Sequence, residues 1–136
     1  MPNYAWTSWK PPAVPGGFTV VGDTVSHPLT GRLWQRGTAG SDLNHAAAVA
    51  YCDGMTLAGH GDWRLPTAVE LMSLLDLTVL GDGALIDAAA FPNTPAAGFW
   101  SGTAWGGTGW FVAISFSNGN GGPQEATSVR SVRCTR

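Results

Sequence analysis

Apolar and polar positions divide the chain into a β-rich start, a helical middle and a β-rich end. Phe18-Thr19-Val20-Val21 opens strand-like structure. Asp23-Thr24-Val25 and Leu33-Trp34-Gln35 flank Pro28-Leu29-Thr30-Gly31, in which Pro presets φ and Gly supplies a left-handed position. The spacing predicts a hairpin. A helix follows, with Ser41 or Asp42 as its cap. Leu43, Ala46, Ala47, Ala50 and Tyr51 fall at i, i+3, i+4, i+7 and i+8, predicting one buried stripe that stops at Gly54. A second helix is predicted after Trp63-Arg64-Leu65-Pro66. Thr67 and Glu70 have capping-box spacing, and Leu71, Leu74 and Leu75 supply the core face.

From Asp76 to Pro92 the chain reads as a Gly/Ala-rich loop, with a short helical turn near Ile86–Ala90. The last third returns to strands. Trp110, Val112, Ile114 and Phe116 alternate with Phe111, Ala113 and Ser115, predicting one well-buried face. Asn118-Gly119 and Asn120-Gly121-Gly122 are turn signals, and Val129–Cys134 reads as a final strand. Residues 1–17 are Pro-rich and aromatic, with Trp6 and Trp9. They read as an arm or linker, and residues 18–136 as one domain. Two Trp are unusual in a free tail, so the arm is expected to dock on the domain or on a partner chain.

Composition supports a packed, turn-rich domain. Hydrophobic residues make up 44% of the 136, while charged residues make up only 12%, about half the usual share. The net charge of −2 and the absence of a Lys/Arg run argue against nucleic acid and anionic membrane surfaces as partners. No apolar stretch approaches the ~20 residues of a membrane span. Residues 1–10 lack a basic segment followed by an apolar one, so no secretory leader is read there. The trimmed start of a longer precursor and a cytoplasmic start both remain open.

Cys52 and Cys134 are the two cysteines. A redox pair or metal ligands would be the chemical reading. Neither residue has a Cys or His neighbour at metal spacing, and Cys-x-x-Cys is absent, which favours one disulfide between distant elements. A persistent disulfide implies an oxidising compartment, hence an extracellular, cell-surface or periplasmic location.

Six motifs then occur in order. They are Gly22-Asp23-Thr24-Val25, Thr30-Gly31-x-Leu33-Trp34-Gln35, Ala50-Tyr51-Cys52, Trp63-Arg64-Leu65-Pro66-Thr67-x-x-Glu70-Leu71, Phe99-Trp100-Ser101 and Val129-Arg130-x-Val132-Arg133-Cys134. Together they resemble the Lcl C-terminal domain family, the globular end of a bacterial collagen-like adhesin, over roughly residues 18–136. The resemblance implies an α+β, C-type-lectin-like fold: two helices packed on a twisted antiparallel sheet with long irregular loops. It also implies that Cys52 and Cys134 tie the first helix to the last strand. Adhesin members are linked to sulfated glycans and to oligomerisation. This chain has no collagen-like stalk, and its acidic balance departs from what a sulfated ligand favours.

The residues that could carry chemistry are few. Trp-Arg-Leu-Pro-Thr also occurs in formylglycine-generating enzymes, which use a reactive cysteine pair near their C-terminal end. The resemblance assigns both cysteines here to the structural bridge, so Trp63 and Leu65 are read as core and Arg64 as the partner of a carboxylate or carbonyls. The Glu-Pro-Asn and Trp-Asn-Asp patterns of calcium-dependent lectins are absent. Asp76, Asp82 and Asp87 are read as solvated or capping rather than cation-binding. A Ser101–His60–Asp62 triad has no nucleophile-elbow motif behind it. No catalytic, metal or cofactor site is therefore assigned. In Trp100–Trp110, Trp100 and Trp110 are expected in the core and Trp105, among glycines, at the surface. Sugar C–H faces stack on such rings while amides bind the polar rim. The candidate ligand-binding residues are Trp105, Trp110, Asn118 and Asn120. The leading function is a non-enzymatic module binding carbohydrate or another surface ligand. The rivals are a homo-oligomeric or protein–protein assembly module and, behind it, a formylglycine-generating-type enzyme.

Overall fold

The computed structural model describes residues 17–136. The arm carrying Trp6 and Trp9 lies outside the described residues. The fold is α+β, with two antiparallel three-stranded sheets and two short helices where the sequence predicted two helices on one sheet. Sheet 1 has the order β1 (Thr19–Val21), β2 (Thr24–His27), β3 (Arg32–Gln35). Helices α1 (His45–Asp53) and α2 (Ala68–Met72) follow. Sheet 2 has the order β4 (Gly98–Ala104), β5 (Trp110–Ser115), β6 (Gly121–Glu125).

The predicted hairpin forms as β2–β3, in register from Thr24 opposite Gln35 to His27 opposite Arg32. Its loop closes where the His27 carbonyl accepts from the Thr30 and Gly31 amides, and Gly31 takes φ +71°, a conformation costly for any side chain. The capping box also forms. Thr67 Oγ1 accepts from the Glu70 amide, and Glu70 Oε1 accepts from the Thr67 amide. Leu71 and Leu74 are buried and Leu75 is half-buried.

Helix α1 departs from the expected register. Asn44, not Ser41 or Asp42, is the cap, its side chain accepting from the Ala47 amide at 2.9 Å. The buried row is His45, Ala48 and Cys52, while Ala46 and Ala50 are exposed. The reason is Cys52. It is bonded to Cys134, with Cα atoms 5.6 Å apart, so the inward row is whatever stands one and two turns before it. His45 completes that row by stacking on Phe111 at 3.4 Å between centroids and donating from Nε2 to the Ser101 carbonyl. The Asp76–Pro92 segment is a loop as expected, with one helical turn in which Asp87 Oδ1 accepts from the Ala89 and Ala90 amides.

The final segment is not the expected strand of a sheet. It is an extended strap whose residues pair with four different elements. Arg130 exchanges backbone bonds with Leu43, and Ser131 bonds to Gly98 and Trp100 of β4. Thr135 exchanges bonds with Arg64, and Arg136 with Leu33 of β3. Val132 and Cys134 share one buried side, as predicted.

Sheet 2 buries side chains of β4 and β5 on both faces, which corrects the reading of β5 as having one buried face. Phe99, Ile114 and Phe116 point into a core with Val25, Trp34 and Leu71. Trp100 and Ala113 point into a second core with Ala48, Trp63 and Val132. Between Trp100 and Ala104, β4 carries a bulge. The bulge brings the Gly102 amide to the Pro66 carbonyl, and Thr103 Oγ1 accepts from the Ala68 amide at the start of α2.

The disulfide closes a separation of 82 residues. In the chain-entropy model that constraint stabilises by about 4–5 kcal/mol. The double substitution Cys52→Ala/Cys134→Ala is expected to lower the denaturant-extrapolated unfolding free energy by about 2–5 kcal/mol. An unchanged midpoint and slope would show that the strap's hydrogen bonds alone close the loop.

Candidate functional site

The structure separates the four predicted ligand residues. Trp105 and Trp110 stand at the mouth of the β4–β5 hairpin, where the Trp105 amide donates to the Trp110 carbonyl at 3.0 Å. Trp105 is 53% exposed, as expected. Trp110 is 40% exposed rather than core. It shares the face of Val112 and Ile114 but lies at the outer end of β5, opposite Glu125, past the packed residues. Asn118 and Asn120 lie in the β5–β6 turn, at the other end of β5. Six residues separate the two ends by about 20 Å. No single small ligand can span them.

The Asn pair instead rims an open basin on the Ala113 side of sheet 2, with a volume of about 330 Å³. Gly98, Ala113, Gly121 and Gly122 make its floor, and Ser115, Asn118, Asn120, Gln124 and Arg130 its polar rim. The small floor residues follow from sheet geometry. Gly98 and the cross-strand neighbours Ala113–Gly122 carry almost no side chain, and Ser115 opposite Gly98 adds only a hydroxymethyl group. A Cβ on Gly122 would meet nothing within 4 Å, so the floor is open at backbone level. A Cβ on Gly98 would sit 3.2 Å from Arg130 Cδ, so that glycine lets the arginine lie flat against the sheet.

Arg130 and Gln124 are the site residues that sequence reasoning missed. Arg130 was visible only as part of a motif. It stands two positions before Val132 in the strap's alternation, hence on the same side of the sheet, but its approach to β6 depends on long-range pairing. Its Nη1 donates to the Val129 carbonyl and its Nη2 to Gln124 Oε1. The basin lining contains this cation and no carboxylate. Asn118 Oδ1 is committed to the turn, accepting from the Asn120 amide at 2.9 Å. That leaves the Asn118 amide N–H donors and both groups of Asn120 available.

A larger cavity of about 350 Å³ lies in the 76–94 loop, beside Ile86, Phe91, Asp76 and Asp87. Its acids serve the loop itself. Asp76 Oδ1 accepts from Thr78, Asp87 Oδ1 caps the turn, and Asp87 Oδ2 is sealed from solvent. Its fewer free donors make it the weaker site. Among the described residues, no group of three or more His, Cys, Asp or Glu side chains is placed to hold a metal ion.

The other motif residues have structural occupations. Ser101 is buried inside the β4 bulge, where its hydroxyl donates to the Val112 carbonyl at 2.6 Å and accepts from the Thr103 amide. Asp62 is paired with Arg136, which holds its carboxyl below the ordinary range. The His60 carbonyl accepts from the Trp63 indole at 3.1 Å. Arg64 makes a two-pronged pair with Glu70, both contacts 2.8 Å, and Arg32 reaches the same carboxylate at 3.1 Å. The Arg64 hydrogen bonds, together with the Thr67 amide, hold the Glu70 carboxyl down to about 2.

A disulfide-tied α+β domain with two three-stranded sheets, a threaded C-terminal strap and a polar basin defines the class. The Lcl C-terminal domain family model matches residues 23–136, and the chain belongs to that family. No curated protein matches the chain. No helix among the described residues is long and apolar enough to cross a membrane.

Glu70→Gln isolates the charge, because an amide oxygen can still accept from the Thr67 amide. A folded-state pKa below the unfolded value stabilises above the unfolded value near 4.5, and that contribution is lost as pH falls toward about 2. Both arginines are more than a third exposed, so screening reduces the effect to about 1–2 kcal/mol. Urea unfolding at pH 7, 5 and 3 is expected to show the wild-type advantage at pH 7 and its shrinkage by pH 3. A difference independent of pH would mean that Glu70 acts through packing alone.

Proposed function

We propose that this domain is a non-enzymatic ligand-binding module of an exported bacterial protein, that carbohydrate is its ligand, and that the basin on sheet 2 is its site. The observation that carries this reading is the convergence of Asn118, Asn120, Ser115, Gln124 and Arg130 over a floor of glycine and alanine. Hydroxyl-rich ligands need bidentate amides and a guanidinium at the rim, and a floor low enough for a sugar ring to lie on the sheet. Helix α1 joined by a disulfide to a C-terminal segment that runs between the sheets supports a C-type-lectin-like reading of the fold and an oxidising compartment. Trp105, some 20 Å away by strand length, is then a separate surface feature rather than part of the sugar site.

A glycan array probed once with calcium and once with a chelator tests the class of ligand. Binding is expected to survive the chelator. Asn120→Ala and Arg130→Gln are each expected to weaken the strongest hit about tenfold, the loss of one good hydrogen bond to a polar or charged group. Trp105→Ala should leave affinity within about twofold. Loss of binding in Trp105→Ala alone would move the site to the hairpin. Absence of binding in either buffer would overturn the proposal.

An assembly role is the second reading, favoured by Val69, Met72, Leu77 and Leu80, which are 51–92% exposed on α2 and the loop after it. Light scattering on the eluted protein decides it. A single monomer mass across a hundredfold range of concentration would count against assembly through these residues.

A further inference from the structure

His27 ends β2 and is 3% exposed. Its ring lies 4.6 Å from Phe18, and Phe18 meets Phe91 edge-on at 5.2 Å. These contacts join the entry to β1 onto the core. The His27 Nδ1 is sealed from water and has no hydrogen-bond partner. A neutral imidazole tolerates this position at modest cost. An imidazolium would place a second N–H donor and a full charge among aromatic rings.

The charged groups around it offer no compensation. Arg32, its cross-strand partner on β3, is a cation held by Glu70. Arg133 lies on Phe91, 4.5 Å from the ring centroid, and is a second cation. Asp87 lines a cavity beside Phe18, but neither of its oxygens is bonded to His27: Oδ1 accepts from the Ala89 and Ala90 amides, and Oδ2 has no hydrogen-bond partner. Burial lowers the His27 pKa below 6.5, in agreement with this geometry.

Strand β1 is the element placed to respond. All three of its residues are exposed, and β2 is its sheet neighbour. The strap and the disulfide engage β3 and α1, not β1. We propose that His27 is an acid-operated latch: protonation drives its ring out of the Phe18–Phe91 stack and frees β1 from β2, while the strap-bound remainder stays folded. The freed strand uncovers the backbone edge of Thr24–His27, a surface suited to pairing with an extended segment.

Two NMR measurements on the full chain test this. The first is titration of the His27 ring. The second is amide-exchange protection of β1 and of the strap, each corrected for the intrinsic pH dependence of exchange. The ring is expected to titrate below 6.5. Protection of the Val21 amide should fall about tenfold per pH unit between the open-state and closed-state pKa values. The Gln35 and Arg136 amides should keep their protection. His27→Phe should flatten the β1 profile, and His27→Gln serves the same purpose if the Phe variant does not fold. A His27 ring titrating at or above 6.5, a β1 profile flat in the wild type, or the same loss in both variants would each overturn the latch.

Discussion

Everything else in this domain depends on the backbone of the last seven residues. Arg130–Arg136 is not a strand of either sheet, yet it completes the hydrogen bonding of both. It pairs with Leu43 before α1, with the edge of β4, with Arg64 before α2 and with Leu33 and Gln35 of β3. Where those segments are buried they would otherwise hold unpaired amides and carbonyls, at a cost of about 1–3 kcal/mol for each group left unsatisfied. The strap's side chains alternate between two duties. Val132 and Cys134 fill the core beneath α1, and Cys134 bonds covalently to Cys52. Arg133 points the opposite way, fully buried without a carboxylate among its hydrogen-bond partners. Its guanidinium donates to the Gln35 and Arg36 carbonyls and to Thr94, and it lies over Phe91. Desolvation lowers its pKa to about 9, so it stays cationic at neutral pH. Carbonyl dipoles and a ring face replace the counter-ion.

The same strap assembles the basin. Arg130 sits where the strap leaves Leu43, and its side chain crosses Gly98 to reach Gln124 on the far strand of sheet 2. The guanidinium of the proposed site is thus held by the segment that closes the fold, not by a free loop. Rigid support of this kind reduces the ordering cost on binding. By contrast, no backbone bond of the strap reaches β1 or the 76–94 loop, which it touches only through the Arg133 side chain at Thr94 and Phe91. β1 and the loop carry Val20, Val21, Leu77 and Leu80 among the exposed apolar side chains, and the loop carries the sealed, unpartnered Oδ2 of Asp87.

Local signals in the sequence were read correctly at the β2–β3 hairpin and at α2, while the equally local cap of α1 was placed at Ser41 or Asp42 instead of Asn44. The β2–β3 hairpin rests on Pro28–Gly31, and α2 rests on Thr67 and Glu70, each within four residues of its partner. Helix α1 was placed, but its face was not. Residues 46, 47, 48 and 50 are all alanine, so periodicity alone does not separate the buried row from the exposed one. Only the Cys134 partner fixes the rotation. The strap looked like an ordinary strand because alternation reports which side chains are buried, not what the backbone pairs with. Grouping Trp105 with Asn118 and Asn120 failed for a geometric reason already present in the sequence. Turns at the start and end of one strand lie at opposite ends of the sheet, however close they are in number.

Net charge argued against an anionic or sulfated ligand, whereas the lining of the basin carries a cation and no carboxylate. The chain totals −2, but several of its charges are engaged internally. Glu70 is shared by Arg32 and Arg64, Asp62 is paired with Arg136, and Asp76 and Asp87 bind their own loop. The basin itself is lined by one guanidinium, three side-chain amides and a hydroxyl, with no carboxylate among them. Potential falls off over about a Debye length, ~8 Å at physiological salt, so the nearby charges, Arg130 in the lining and Glu125 next to Gln124, count for more than the distant sum. An electroneutral or anionic ligand rich in acceptors fits such a rim, and a cationic one does not.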